Sequence, residues 1–229
     1  MGDAAKQTVE QCLSAYEEHK HQIDLFGKSV REFFFTHPDL NSGDLPSVHT
    51  VKYRLKDPSH LREKLSRKGM HQIDPEHLFH QVTDLAGVRV LHLYMGQLPA
   101  IVNAIKGQIS QGYWVLFEPP KAYTWDPETT SFLSTLGLET HQKDNSYTSV
   151  HYIVKPNHSV EITCEIQIRT LFEEVWGEID HVLNYPTSSQ SIACSEQLKV
   201  LAKMVGAGSR LAEAIFRSHQ EYEQNQRKP

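Results

Sequence analysis

Residues 163–186 read TCEIQIRTLFEEVWGEIDHVLNYP, and their apolar period changes at Thr170. Before it the period is two: Glu165, Gln167 and Arg169 fall on one side, Ile166 and Ile168 on the other. After it, apolar residues return every three or four positions, at Leu171, Val175, Ile179 and Leu183, with Phe172, Trp176 and Val182 beside them. A period of two followed by one near 3.6 describes a strand running directly into a helix. The strand has one apolar face, and its other face carries an acid, an amide and a base in alternation. Such a face serves as ordinary solvated surface on many antiparallel strands. It becomes a site only if the rest of the chain supplies matching chemistry.

Working outward, "SYTSVHYIVKP" and "SVEITCEIQIRT" read as an antiparallel pair joined by "PNHS". "DLAGVRVLHLYM" reads as a buried strand introduced by Asp84, "VHTVKYRL" as a short strand and "YWVLFEP" as another. Helices are expected over 4–36, from near Ser59 to Gly69 after the entry signal Asp57-Pro58-Ser59, over "PEHLFHQ", over 97–112, over 171–184 and over about 193–222. Residues 118–146 hold Pro119, Pro120 and Pro127 with little periodicity, and read as an active-site or binding loop. The expectation is an α+β fold: a mixed, mainly antiparallel sheet of about five strands covered by helices, with flanking helices at both ends. The divisions are 1–46 (helical), 47–187 (the mixed α+β domain) and 188–229 (a last helix).

Composition narrows the function. The 229 residues suffice for a real core. With 23 basic against 28 acidic residues, the net charge of −5 argues against a generally cationic nucleic-acid binder. Cys12, Cys164 and Cys194 lie far apart without metal-ligand spacing, as reduced cytosolic thiols do. The polar start "MGDAAKQTVEQC" has no signal-peptide core, and no apolar run approaches a membrane span, so a cytoplasmic protein without membrane association is expected.

Four polar groups stand out. Arg54, Lys56, Arg62, Lys64, Arg67 and Lys68 place six cations within fifteen residues, which is either a solvated helix face or a phosphate site. Asp84 precedes an apolar strand. Tyr147, Ser149 and His151 share one strand face. Glu165, Gln167 and Arg169 complete the set. Carboxylates able to hold Mg2+, cations to neutralise phosphate and an aromatic to stack on a base suit nucleotide phosphate chemistry. Neither a Walker A loop nor GxGxxG occurs.

The ordered series "RLKDPSHLREKLSRK", "DLAGVRV", "SYTSVHYIV", "EIQIRT" and "WGEIDHVLNYP" resembles the synthetase domain of the RelA/SpoT family in its stand-alone small alarmone synthetase form, over about residues 50–187. The resemblance implies an ATP:nucleotide 3′-pyrophosphokinase that makes ppGpp or pppGpp from ATP and GDP or GTP, with synthesis only. It implies that Arg54, Lys56, Ser59, Lys64, Arg67 and Lys68 line the ATP side. Asp84 would bind Mg2+ and Arg89 would face the phosphates. Tyr147 would stack on the acceptor base, with His151, Ser149 and Lys143 beside it. Glu165 would complete the metal site or help deprotonate the attacking hydroxyl, with Gln167 and Arg169 supporting that catalytic face. His181 would contact the acceptor or hold its helix against the sheet. A homo-oligomer (dimer or tetramer) also follows by resemblance.

Departures bear on the acceptor. Many members carry a Lys-rich "KDYI…PK.NGY" segment; here only Lys121 and Lys143 are basic in the corresponding region, Ser146 replaces the glycine before the tyrosine, and Pro186 replaces a cation. The alternatives are pyrophosphorylation of the tRNA 3′ CCA end or of adenine nucleotides, as in toxic members with an antitoxin partner, and a nucleotide-binding regulator without catalysis.

Overall fold

The computed structural model describes residues 3–67, 73–143, 146–158, 161–185, 187 and 189–226. Lys68, Gly69 and Pro186 lie outside the described residues. Helix α1 (Asp3–Thr36) comes first, with Val9, Cys12, Leu13, Tyr16, Ile23, Val30 and Phe34 buried along one stripe. Their three-, four- and seven-residue spacing is that of one helical face. Next come α2 (Pro38–Asn41), β1 (Thr50–Leu55), α3 (Pro58–Ser66), α4 (Leu78–Gln81), β2 (Ala86–His92) and α5 (Leu98–Ser110). They are followed by β3 (Trp114–Leu116), β4 (Lys121–Tyr123), α6 (Pro127–Thr135), β5 (Glu139–His141), β6 (Ser149–Pro156), β7 (Cys164–Thr170), α7 (Leu171–Asn184) and α8 (Ile192–Gln226).

The strands form one mixed sheet in the order β1-β2-β7-β6-β4-β5, with β3 paired to β6 beyond β4. β2 with β7 and β4 with β5 are parallel; the remaining pairs are antiparallel. The α+β expectation holds, with seven strands in place of about five.

The two added strands correct the reading of 118–146. That segment is not a plain loop: it holds β4, α6 and β5. Asp126 caps α6 by accepting from the Thr129 backbone N–H, with Pro127 in the first turn, and Gly137 leaves the helix at φ +75°. Leu133 and Leu138 are buried and anchor it. Three-residue strands show almost no period, and the prolines beside them disguise the rest.

Register explains how the site arises. Side chains of paired residues project to the same side of a sheet. Gly87, Arg89 and Leu91 of β2 pair with Glu165, Gln167 and Arg169 of β7, and Arg54 and Lys52 of β1 pair with Gly87 and Arg89. On the other side of β7, Gln167 pairs with His151 of β6, which pairs with Lys121 of β4. One sheet face is therefore polar from β1 to β4. The opposite face holds Val88, Val90, Val150, Tyr152, Val154, Ile166 and Ile168, all buried in one cluster with α1 and α5. Each large apolar side chain so buried contributes about 1.5–3 kcal/mol.

Helix α7 starts without a linker because Thr170 and Glu173 form a capping box. Trp176 reaches α8, donating from Nε1 to the Leu198 carbonyl at 3.0 Å and packing with Ala202, Val205 and Tyr147. Just before β6, Ser146 takes φ +60°, the left-handed region that penalises a Cβ. Ser146→Val is expected to lower stability by about 1–2 kcal/mol while Ser146→Gly does not lower it, read by urea unfolding. Equal losses in both variants would mean that the backbone at this position carries no strain.

Candidate functional site

A cleft of about 960 Å3 opens over the polar sheet face, between the β1–α3 elbow, α7 and the first turn of α8. Arg54, Lys56, Lys64, Arg67, Asp84 and Arg89 line one end, and Lys143, Tyr147, Gln167 and Arg169 the other. The elbow is held from behind. The buried Tyr16 of α1 donates its hydroxyl to the Lys56 carbonyl at 2.5 Å, and Asp57 accepts from the backbone N–H of Ser59 to cap α3. Gly87 leaves room for Arg54 to lie across the sheet: a Cβ there would sit 3.2 Å from its Nε.

Asp84 is the electrostatic centre of the first end. Lys56 Nζ and Lys64 Nζ each lie 2.7 Å from one of its oxygens, and Arg54 Nη2 lies at 4.0 Å. Burial works against its charge, but Lys56 and Lys64 overcome that and lower the carboxyl to about 2. Burial in turn pushes the Lys56 ammonium below its ordinary value. A depressed acid contributes stability above its unfolded pKa of 3.8, and that stability is lost as pH falls from there to about 2. The difference is worth about 2 kcal/mol. In metal-free buffer, Asp84→Asn is expected to melt below wild type at pH 6, with the gap closing by pH 2. A gap unchanged between these pH values would show that Asp84 is not held by the lysines.

Glu165 is the second carboxylate, on the adjacent strand. Its side chain is 14% exposed, with Oε1 2.9 Å from His151 Nδ1 and Oε2 accepting from Gln167 Nε2 at 2.8 Å. Burial again opposes ionisation, while His151 and Gln167 lower the carboxyl below its ordinary value and the Asp84 charge raises it. The two acids therefore sense one another. His151 Nε2 is in turn 3.0 Å from the Tyr147 hydroxyl, so phenol, imidazole and carboxylate form one chain.

The Tyr147 ring is half-buried between groups that the sequence set beside it and groups that it did not. Lys143 Nζ lies 4.6 Å from the Tyr147 centroid and 4.1 Å from that of Tyr123. The Arg169 guanidinium lies 5.8 Å from the Tyr147 ring, and Trp176 6.4 Å. Arg169 Nη2 donates to Gln167 Oε1 at 3.2 Å. At the cleft mouth His181 stacks on Tyr185 at 4.7 Å, and the Arg67 guanidinium sits over the same ring at 5.0 Å.

Not every expected residue faces the cleft: Glu165 and His151 do not line it and are joined to it through Gln167 and Tyr147. The Ser59 hydroxyl is turned to Asp57 within the helix cap. Arg62 pairs with Glu10 of α1. The buried Ser149 donates to the Ile168 carbonyl at 3.2 Å. Conversely, Lys52, Tyr123, Glu174, Glu178 and Tyr185 belong to the site's surroundings and were not singled out. Glu174 and Glu178 were findable as an i, i+4 acidic pair on α7; Tyr123 was hidden in the misread segment.

For Mg2+, the donor chemistry fits: two carboxylates held ionised, Asp84 in the turn before β2 and Glu165 on the neighbouring β7, beside cations suited to phosphate. Among the described residues no group of three or more His, Cys, Asp or Glu could hold a metal.

The family model for the region found in RelA / SpoT proteins matches residues 53–190, which span the elbow, the sheet floor and α7. The chain belongs to this family. It is 28% identical over 152 residues to the GTP pyrophosphokinase YwaC of Bacillus subtilis, covering 64% of this chain and 62% of that one. It is 24% identical over 212 residues to the GTP pyrophosphokinase YjbM of the same organism, covering 90% and 86%. The small alarmone synthetase 1 of Bacillus subtilis, solved bound to its product pppGpp, shares the fold with a TM-score of 0.58 at 21% identity, over 93% of this chain and 96% of that one. Among the described residues no helix of this RelA/SpoT family member is long and apolar enough to cross a membrane.

Proposed function

We propose that the protein is a (p)ppGpp synthetase that transfers pyrophosphate from ATP to the 3′-hydroxyl of GDP or GTP. The observation that carries this reading is the convergence, on one cleft, of the ionised Asp84, a set of cations and a tyrosine ring, with the ionised Glu165 hydrogen-bonded to the cleft-lining Gln167. The 3′-oxygen forms a bond to the β-phosphorus of ATP, the bond from that phosphorus to the α-β bridging oxygen breaks, and AMP leaves. Arg54, Lys56, Lys64 and Arg67 hold the donor phosphates; Tyr147 takes the acceptor base, for which Lys143 moves off the ring. Stacking of this kind is worth about 1–3 kcal/mol. Asp84 and Glu165 would hold Mg2+, which when bound neutralises the phosphate charge. Glu165 would also receive the 3′-hydroxyl proton. Arg89, Gln167 and Arg169 position the reacting phosphates from one face of the paired strands β2 and β7.

The test is to incubate the protein with Mg2+ and γ-labelled ATP, offering GDP, GTP, AMP, ADP, ATP and deacylated tRNA separately. Label on GDP or GTP is the expected result. Label on tRNA alone would replace it with a translation-blocking activity of the kind that has an antitoxin partner, and no transfer at all would leave a nucleotide-binding regulator.

An oligomer belongs to the same reading. Val200, Met204, Leu211, Ile215 and Tyr222 of α8 are 57–65% exposed and recur every four or seven residues along one face. With a second copy covering this stripe, Met204→Glu together with Leu211→Glu is expected to at least halve the mass seen by light scattering. A wild-type protein that is already monomeric would remove the oligomer from the proposal.

A further inference from the structure

Glu174 is only 5% exposed, and α7 sets it down on cations from three adjacent strands. Lys52 Nζ of β1 lies at 2.8 Å, Arg89 Nη1 of β2 at 3.1 Å and Arg169 Nε of β7 at 3.0 Å. The Arg169 contact is an ion pair without hydrogen-bond geometry. The helix is shaped around it: a Cβ at Gly177, one turn on, would overlap Arg169 Nη1. Only glycine lets that guanidinium pass beneath α7. From Arg169 the contacts continue through Gln167 to Glu165, and across to the Tyr147 ring.

Burying an acid with several cations contributes little to stability compared with apolar packing of the same volume. The arrangement is explained if those cations must be held in set directions. A guanidinium left free swings between rotamers and water; one tied at its back presents its remaining N–H groups before a phosphate arrives. We infer that Glu174 is a positioning residue that aims Arg89 and Arg169 into the cleft, with Lys52 as the third tie and Gly177 as the gap that admits Arg169. This rests on the transfer reading above.

The experiment compares wild type, Glu174→Gln, Glu174→Asp and Gly177→Ala by kcat, KM for donor and acceptor, and melting temperature. Glu174→Gln is expected to lower kcat at least tenfold while KM for ATP moves less than threefold, and Glu174→Asp to recover part of the loss. Gly177→Ala keeps the acid and raises helix propensity, yet displaces Arg169, so kcat falls without a matching loss of melting temperature. It also keeps the inference testable if Glu174→Gln does not fold. A purely structural ion pair would change the melting temperature and leave kcat at its wild-type value in every folded variant, and that result overturns the inference. A wild-type protein that moves no label to any acceptor overturns the transfer reading first and this inference with it; an active wild type with unaltered variants overturns this one alone.

Discussion

Replacing Glu165 by glutamine is expected to lower kcat for pyrophosphoryl transfer about 100- to 10,000-fold with the fold retained. The fold argument comes from the carboxylate's partners. Gln167 needs an acceptor at 2.8 Å and His151 a polar partner at 2.9 Å, and an amide of the same shape supplies both. What glutamine cannot do is carry the negative charge that His151 and Gln167 stabilise in this buried position. Both roles open to Glu165, holding a cation and receiving a proton, need that charge, so the variant loses either. The roles separate on titrating Mg2+: if the residue is chiefly a ligand, excess metal restores part of the rate, and if it is chiefly a base, no concentration does. A Glu165→Gln protein that turns over at the wild-type rate would remove the acid from both roles.

How much of this was legible in the chain depends on the range of the interaction. The strand-to-helix change at Thr170 is written locally: α7 begins and ends where the period says and β7 ends there, while β7 begins at Cys164, inside the segment SVEITCEIQIRT read as strand. Glu165, Gln167 and Arg169 were identifiable as one face because alternation on a strand is a two-residue rule. Their convergence with Arg54, Arg89 and His151 followed only from the resemblance carried by the ordered motifs, because it depends on register among β1, β2, β7 and β6, which no single segment encodes. The Glu174 contacts join residues 52, 89 and 169 and were equally hidden. Arg62 looked like Lys64 in sequence; a two-residue displacement along α3 turns it to Glu10 on α1 instead of to Asp84. The segment 118–146 failed for the opposite reason: the Asp126-Pro127 cap was readable, but three-residue strands are too short to show a period.

Asp84→Asn is the sharper test of enzyme against binder, because its two expected effects have opposite sign. In the wild-type protein Asp84 occupies Lys56 and Lys64 through contacts of 2.7 Å. Without its charge those ammonium groups are left to repel one another at the donor end of the cleft, and an incoming triphosphate relieves that repulsion. Binding of ATP in the absence of Mg2+ is therefore expected to tighten about three- to tenfold, a gain of about 1 kcal/mol. Turnover with Mg2+ is expected to fall at least about 1,000-fold, since the site loses a carboxylate suited to the cation while the phosphates gain only monovalent partners. Isothermal titration with ATP in chelator, paired with the labelled-transfer assay, reads both. A protein that only binds nucleotides would register the first effect and have no turnover to lose. One that keeps its turnover after the substitution would show that the cation chemistry resides elsewhere than at Asp84.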